Sequence, residues 1–315
     1  MSAQPVIETR GLTRYFGAKA AVYELNLSVP RGSVFAFLGR NGSGKTTTIR
    51  MLLGLVEPTR GGASVLGCDA RALDPETRAR IGYLTEEHQL YGWMSVRQCN
   101  EFQSQFYPRW NQRIFDGVIG HFNLKPQARV KDLSRGERAG VCLALTLAPE
   151  PELLVLDDPA LGLDPVARRS LMESIVYLTR RTDRTIFFSS HHLSDVERVA
   201  DDIAVLDRGV LRASCPLETF RQSVQEVRLR FAGTPPPLPK VPGLLRAIRT
   251  EDELRVVCVH FDGATEKILE GLGAAQLELV PIALEDAFIS YLGERGEKSF
   301  ILSGAETGSV APVEH

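Results

Sequence analysis

The chain has 315 residues, of which 43% are hydrophobic and 24% charged, and its formal net charge at pH 7 is -2. This length predicts one large domain with a smaller appendage. The near balance of charge gives no broad electrostatic reason to bind nucleic acid or an anionic membrane surface, so we expect no nucleic-acid partner.

The cysteines and the pattern of hydrophobic residues indicate the cellular compartment of the protein. The five cysteines are widely spaced and lack the paired spacing of zinc sites or disulfide frameworks: Cys68, Cys99, Cys142, Cys215 and Cys258. We interpret them as reduced thiols of a cytoplasmic protein. The first residues lack a signal-peptide pattern, and no stretch approaches the roughly 18 continuous apolar residues of a spanning helix. A membrane role is therefore expected to be peripheral.

The order of elements predicts an α/β core. Short β-rich runs between Pro5 and Val29 predict antiparallel strands. The strand VFAFL then leads through glycines into a helix that begins KTTTIRMLLGL. Residues 93–147 lack strand-like alternation and are interpreted as a helical subdomain. The apolar run LLVL, a helix and the strand TIFFSS follow, which is the alternation of a buried parallel sheet.

The last third of the chain predicts a second domain. Residues 203–212 resemble a hairpin that turns at Asp207-Arg208-Gly209. Beyond it, a proline cluster, an alternating strand and a helix-like segment predict a small α+β domain. We therefore expect a main domain over residues 1–221, an accessory domain over 222–297 and a disordered tail over 298–315.

A phosphate-binding loop is the strongest motif. Residues 39–46 read G-x-x-x-x-G-K-[ST] between a predicted strand and a predicted helix. Glycines let the backbone wrap closely around phosphate, and a helix start supplies N–H donors. Lys45 would contact the β- and γ-phosphates, and the Thr46 hydroxyl would bind magnesium. With Lys45 and Thr46 in register, this interpretation is favoured over a flexible glycine turn.

A second strand ends in two carboxylates, Asp157 and Asp158. Parallel strands present ligand-binding groups at their carboxyl ends. Asp157 would then hold magnesium through water, and Asp158 would orient or deprotonate the attacking water. Taken alone, this segment is equally typical of an ordinary turn.

Ser134 and Glu137 have the spacing of a capping box at a helix start. A helix start is also an anion site, so the same residues could face a phosphate on a second molecule. The two interpretations are compatible.

Together these motifs resemble those of ABC transporter nucleotide-binding subunits, particularly bacterial exporters with separate membrane subunits. The resemblance runs from Ile7 to Arg221. GRNGSGKT resembles the family's Walker A motif, LSRGE its signature, LLVLD its Walker B motif, LGLDP its D-loop and SSHHL its switch-histidine loop. The implied fold is a P-loop NTPase core with an antiparallel β subdomain and a helical subdomain.

The resemblance implies that ATP and Mg²⁺ bind between two protomers, with the signature of one facing the phosphate loop of the other. Phe16 would stack on adenine, and His191 would contact the γ-phosphate together with Ser134 and Gly136 of the opposite protomer. Asp158 and His191 would be the catalytic residues, and Thr46, Glu86 and Asp157 the metal-site residues. The predicted ATP-binding residues are Phe16, Gly39, Arg40, Asn41, Gly42, Ser43, Gly44, Lys45, Thr46, Thr47, Ser134 and Gly136.

The sequence departs from the family pattern at several positions. Glu86 stands where a glutamine is usual, and Gln89 could fill that role if the loop is shifted. Asp158 stands where the catalytic glutamate is expected, and it is one methylene shorter. Glu137 replaces the usual final glutamine of the signature, and Leu161 replaces a D-loop serine. We therefore predict good ATP binding but slow hydrolysis, by this subunit alone or as one member of an unequal pair.

The expected partners are transmembrane permease subunits and a second nucleotide-binding subunit, identical or different. The stretch from Leu90 to Met94 is the candidate contact with the permease, although it could equally pack the helical subdomain. The protein would then lie at the inner face of the cell membrane. Alternatives are a non-transport ABC ATPase or a regulatory ATP sensor. Against the first, the chain has no heptad insertion, cysteine pairs or second phosphate loop.

Overall fold

The structure is a computed structural model that describes residues 4–180, 184–292 and 302–303. Its contacts divide the chain into two compact units, Met1–Leu211 and Arg212–His315. The tail predicted to be disordered, residues 298–315, lies outside the described residues apart from the short strand at 302–303.

The boundary between the units falls before the one predicted at residue 221. The hydroxyl of Tyr291 donates a hydrogen bond of 2.6 Å to the carbonyl of Arg212, 79 positions earlier. The ring of Phe220 packs edge-on against Tyr291, with 5.4 Å between the ring centroids. Because these contacts attach residues 212–221 to a helix near the end of the chain, that segment belongs to the second unit.

The regular elements follow the predicted alternation. The strands are β1 (Ile7–Phe16), β2 (Lys19–Val29), β3 (Val34–Leu38), β4 (Arg60–Val65), β5 (Cys68–Asp69), β6 (Ile81–Leu84), β7 (Leu153–Asp157), β8 (Thr185–Ser190), β9 (Asp202–Asp207), β10 (Val210–Pro216), β11 (Val224–Arg230), β12 (Leu244–Arg249), β13 (Glu253–Val259), β14 (Gln276–Val280) and β15 (Leu302–Ser303). The α-helices are α1 (Lys45–Leu52), α2 (Pro75–Ala79), α3 (Val96–Ser104), α4 (Gln112–His121), α5 (Arg135–Leu147), α6 (Pro165–Arg180), α7 (Leu193–Val199), α8 (Leu217–Ser223), α9 (Gly263–Glu270) and α10 (Leu284–Leu292).

A parallel sheet forms the centre of the first unit, with strands in the order β9-β3-β8-β7-β6. Every residue of β3, β7 and β8 is buried, as expected for a parallel sheet covered on both faces. Phe187 packs against Phe35 and Phe37, with centroid distances of 5.9 and 5.3 Å. The predicted α/β core is confirmed, and the carboxyl ends of these strands lie side by side.

An antiparallel sheet, in the order β2-β1-β4-β5, covers part of this core. Its first hairpin pairs Ile7 with Val29 and Phe16 with Lys19, which confirms the antiparallel strands expected near the amino terminus. Gly17 turns the hairpin with a φ of 60°. The turn places Phe16 at the tip of the hairpin.

Helices α3, α4 and α5 occupy the region predicted to be helical. Asn111 caps α4 by accepting hydrogen bonds from the next backbone N–H groups, and Ser95 and Ser134 each form a capping box at the starts of α3 and α5. These caps satisfy N–H groups that have no partner inside a helix. The sequence signals for the helix starts therefore correspond to real contacts.

The second unit contains an antiparallel sheet in the order β12-β13-β11-β14. Its core joins Val227 and Leu229 of β11 to Leu254 and Val256 of β13, and Leu269 of α9 packs on them. This is a small α+β arrangement of the kind expected for residues 222–297. In the part of the chain that the structure describes, no helix is both long and apolar enough to cross a lipid bilayer.

We expect Gly140→Ala to destabilise the first unit by about 1–3 kcal/mol, because a Cβ added there would lie 2.6 Å from the ring of Phe122. Gly117→Ala is the matched control, since its Cβ would meet nothing within 4 Å. In the helix α4 that change should stabilise by about 0.5–1 kcal/mol. Urea unfolding of both variants measures the two effects. Equal changes at the two positions would contradict the assigned α4–α5 packing.

Candidate functional site

The loop from β3 to α1 has the backbone shape of a phosphate cradle. Gly42 and Gly44 have φ angles of 78° and 107°, which side-chain-bearing residues rarely adopt. A Cβ on Gly44 would lie 2.3 Å from the carbonyl oxygen of Ala21, and one on Gly39 would lie 2.4 Å from that of Leu206. These positions therefore require glycine for two reasons: the φ angles of the loop are positive, and neighbouring carbonyl oxygens leave no room for a Cβ atom.

Lys45 begins α1 and is only 7% exposed. Its ammonium donates hydrogen bonds of 2.7 Å to the carbonyl of Gly39 and 3.3 Å to that of Arg40. Burial lowers the pKa of Lys45, and the carboxylates of Asp158, Asp157 and Glu86 oppose that shift. The lysine is thus a buried cation inside the loop, positioned for an anionic ligand.

Asp157 ends β7, and two hydroxyl groups from neighbouring elements converge on it. Thr46 Oγ1 lies 3.2 Å from Asp157 Oδ1, and Ser189 Oγ donates to the same oxygen over 2.8 Å. Oxygen donors of this kind suit Mg²⁺. The described residues contain no cluster of three or more His, Cys, Asp or Glu side chains able to hold a metal. With Thr46 and Asp157 as its protein ligands, an ion such as Mg²⁺ would keep water molecules as further ligands.

Asp158, the next residue, is buried and has a left-handed backbone with φ of 45°. Its Oδ2 lies 2.5 Å from His191 Nδ1, and its backbone N–H donates to Ser189 Oγ over 2.9 Å. A carboxylate and an imidazole in direct contact can hold and move a proton. The structure brings Asp158 and His191 together at the carboxyl ends of β7 and β8.

Lys45, Thr46 and Asp158 line a cleft of about 370 Å³, whose wall also includes Phe16. Asp157 and His191 contact this group but are not among the described residues that line the cleft. The Phe16 ring is 52% exposed, and the guanidinium carbon of Arg14 lies 4.8 Å from its centroid. Glu86 lines this cleft, whereas Gln89 lines a different groove and donates to Glu87. The predicted residues that line the cleft are Phe16, Asn41, Gly42, Gly44, Lys45, Thr46, Thr47, Glu86 and Asp158.

Ser134 and Gly136 are not among the described residues that line this cleft. Ser134 accepts from the N–H of Glu137 over 3.2 Å, and the Glu137 carboxylate accepts from the Ser134 N–H over 2.8 Å. The predicted capping box of Ser134 and Glu137 is therefore confirmed. Ser134 is also exposed at the start of α5, so the helix end remains accessible.

Ser189 is the residue that sequence reasoning missed. It is fully buried and joins Asp157 to Asp158 by one hydrogen bond to each. The available signal was a polar pair at the end of the apolar strand TIFFSS. That signal becomes informative only through the strand register, which pairs Asp157 with Ser189.

Comparison with known proteins identifies relatives. The profile of the ABC transporter family matches residues 22–161. The bacitracin transport ATP-binding protein BcrA of Bacillus licheniformis is 33% identical over 219 residues, which cover 69% of this chain and 72% of that protein. The Nod factor export ATP-binding protein I of Neorhizobium galegae is 31% identical over 302 residues, or 93% of this chain and 86% of that protein. Sequence similarity thus extends into the second unit.

Solved structures show the same fold. The ATP-binding subunit of an ABC transporter has a TM-score of 0.62 and 26% identity, with 69% of this chain and 92% of that chain covered. A dimeric ATP-binding cassette in a post-hydrolysis state with ADP and Pi has a TM-score of 0.60 and 20% identity, with 67% and 98% covered. The first unit therefore has the fold of an ATP-binding cassette.

We expect Ser189→Ala to lower the free energy of unfolding by about 1–3 kcal/mol, because it leaves the buried N–H of Asp158 without an acceptor. Ser104→Ala is the control, since that exposed hydroxyl only bonds the carbonyl of Glu101 in the same helix. Its effect should stay within about 0.5 kcal/mol. Urea unfolding measures the free energy of unfolding of both variants. Equal losses would show that the buried hydrogen bonds of Ser189 stabilise the fold no more than the exposed hydroxyl of Ser104 does.

Proposed function

This chain belongs to the family of ABC transporter ATP-binding proteins, and on that premise we propose that it hydrolyses ATP to power export through a separate membrane-spanning subunit. The observation that carries the proposal is that Lys45, Thr46 and Asp158 line one cleft. The carboxylate of Asp157 lies 3.2 Å from the Thr46 hydroxyl. A buried lysine inside a glycine loop binds phosphate, and the carboxylates supply the metal site and the base.

Nucleotide binding follows from the geometry of the cleft. The phosphates of ATP replace the carbonyls of Gly39 and Arg40 as partners of the Lys45 ammonium. Thr46 and Asp157 would hold Mg²⁺, with Glu86 nearby, and the bound ion would supply positive charge to the phosphate site. Phe16 offers an exposed ring face for the adenine base, at the tip of the β1–β2 hairpin.

Hydrolysis requires a proton acceptor for the attacking water. Asp158 and His191 form the pair that accepts this proton, and Ser189 fixes the backbone of Asp158. Since aspartate is one methylene shorter than glutamate, its carboxylate reaches less far toward the water. This shorter reach supports the second candidate function, a subunit that binds ATP firmly and turns it over slowly.

Dimerisation follows from the position of the signature residues. Ser134 and Gly136 begin α5 and lie away from the cleft of their own chain, so they serve a nucleotide on a second copy or a related subunit. The start of this helix gives N–H donors and a positive dipole end to the γ-phosphate. ATP thus holds two protomers head to tail, and hydrolysis releases them.

The names of the relatives support the proposals that this chain powers export and that it has a membrane-spanning partner. BcrA is named for bacitracin transport, and the Neorhizobium relative is named for Nod factor export. The two names give different solutes, although both relatives resemble this chain to a similar degree. We therefore assign the choice of solute to the membrane-spanning subunit. The present chain works at the inner face of the membrane, in contact with that subunit.

The first test is nucleotide retention. Lys45→Ala should weaken ATP binding by about 10- to 100-fold, the loss expected when a charge-assisted contact is removed. The matched control is Lys125→Ala, an exposed lysine of the helical subdomain, which should bind ATP like the original chain. Equilibrium dialysis with labelled ATP and magnesium measures both. Equal ATP affinity in the two variants would remove the basis of the proposed function.

The slow-turnover proposal is tested by restoring the longer acid. Asp158→Glu should raise single-turnover hydrolysis by about tenfold or more, since a correctly placed base contributes about 10²–10⁴-fold. Asp158→Asn is the control; it removes the base and should abolish hydrolysis while ATP binding persists. Rapid-quench measurement on the complex with its membrane subunit gives the rates. An unchanged rate for Asp158→Glu would show that the shorter side chain of Asp158 does not limit the rate of ATP hydrolysis.

A further inference from the structure

The ring of Phe16 stands at an exposed position. Phe16 is the last residue of β1 and pairs with Lys19, the first residue of β2, across a turn that contains Gly17. It lines the nucleotide cleft, and 52% of the residue is exposed. A side chain at the tip of a hairpin has few neighbours that restrict its rotamer, so a ring that receives a base there needs a support.

Arg14 supplies this support. Its guanidinium carbon lies over the Phe16 ring, 4.8 Å from the ring centroid. This distance is within the range of about 6 Å over which a cation is attracted to the negative face of an aromatic ring. The register of the β1–β2 pair shifts on both sides of Arg14, between Leu12 and Arg14 and between Arg14 and Tyr15. Irregularities of this kind redirect side chains, and here the guanidinium reaches the ring of the residue two positions later.

The guanidinium itself is fixed by a distant loop. Nη1 of Arg14 donates a hydrogen bond of 2.9 Å to the carbonyl of Glu57, 43 positions later in the chain. Two further hydrogen bonds attach this loop to β1. The N–H of Thr59 donates to the carbonyl of Thr13 over 2.8 Å, and the N–H of Tyr15 donates to Thr59 Oγ1 over 3.2 Å. A backbone segment that is held in place therefore determines where the planar guanidinium lies.

The contact with the ring also explains a donor that is otherwise unpaired. Nε of Arg14 is buried, and no described residue accepts a hydrogen bond from it. A buried donor without an acceptor costs stability. The attraction between the guanidinium and the ring face offsets part of this cost, and it does so only while Phe16 keeps its orientation. The guanidinium and the ring thus stabilise each other.

The position of the cleft indicates which face of the ring is free. Phe16 lines the cleft, whereas Arg14 is not among the described residues that line it. The guanidinium therefore covers the ring face that is turned away from the cleft, and the opposite face is open to a ligand. A flat aromatic base can stack on this open face, and such stacking contributes to affinity because every base has a π face.

We propose that Arg14 is a positioning residue for the nucleotide base: its guanidinium, bonded to the carbonyl of Glu57, holds the Phe16 ring so that the open face of the ring stacks on adenine. The inference rests on the proposed function and adds a residue that acts on the base alone. Since the phosphates would lie in the glycine loop, loss of Arg14 should weaken the stacking and leave the phosphate contacts of Lys45 intact.

The test compares a ligand that has a base with one that has none. The full-length chain is titrated by calorimetry, in the presence of magnesium, with ATP and with inorganic tripolyphosphate, which offers phosphate oxygens but no ring. Arg14→Leu removes the charge and the donors of the side chain. We expect it to lower the affinity for ATP about three- to tenfold, the loss typical of one cation–π or ring-packing contact. Its affinity for tripolyphosphate should be unchanged.

Arg10→Leu is the matched control, because Arg10 is an exposed arginine of the same strand whose guanidinium pairs with Glu8. This variant should bind both ligands like the original chain. Arg14→Lys keeps a positive charge and a donor for the Glu57 carbonyl, so it should recover most of the lost affinity for ATP. Equal losses for Arg14→Lys and Arg14→Leu would contradict the assigned contact.

A double variant tests whether Arg14 acts through the ring. Phe16→Ala removes the stacking surface and should itself weaken ATP binding about tenfold or more. In the Phe16→Ala background, Arg14→Leu should cause no further loss, because no ring remains to be held. Losses that add in the double variant would show that Arg14 contributes independently of Phe16, and the proposal would then be wrong.

The two ligands also separate a positioning role from a structural one. If Arg14→Leu weakened the binding of ATP and tripolyphosphate equally, the variant would disturb the whole cleft and the proposal would be overturned. An unchanged affinity for ATP would overturn it as well, whereas ATP binding that depends on Lys45 would leave the proposed function intact. If the original chain bound neither ligand, the proposed function would fail together with this inference.

Discussion

The carboxylate of Asp157 is the point from which the rest of the cleft is positioned. It receives the hydroxyl of Ser189 from β8 and lies 3.2 Å from the hydroxyl of Thr46, which follows β3. These groups meet because β3, β8 and β7 are adjacent, parallel and buried at every residue. A shift of one residue between β7 and β8 would turn Asp157 toward the opposite face. Apolar packing of the sheet thereby fixes the chemistry at its edge.

Sequence reasoning predicted the features that are local in the chain. The glycine loop, the capping box at Ser134 and the apolar strand before Asp157 each occupy a few consecutive residues, and their chemistry can be read from those residues. It could not predict contacts that depend on register or on distant packing. Ser189 acquires its meaning from pairing with Asp157, and Tyr291 assigns residues 212–221 to the second unit through a contact 79 positions away.

Two buried residues beside the cleft carry a cost in the free chain. Asp158 is buried with a φ of 45°, in the left-handed region that side-chain-bearing residues rarely adopt. Lys45 is buried beside backbone carbonyls, and that burial lowers its pKa. Phosphate would supply Lys45 with charge-assisted contacts, so a bound nucleotide would relieve a cost that the free chain carries.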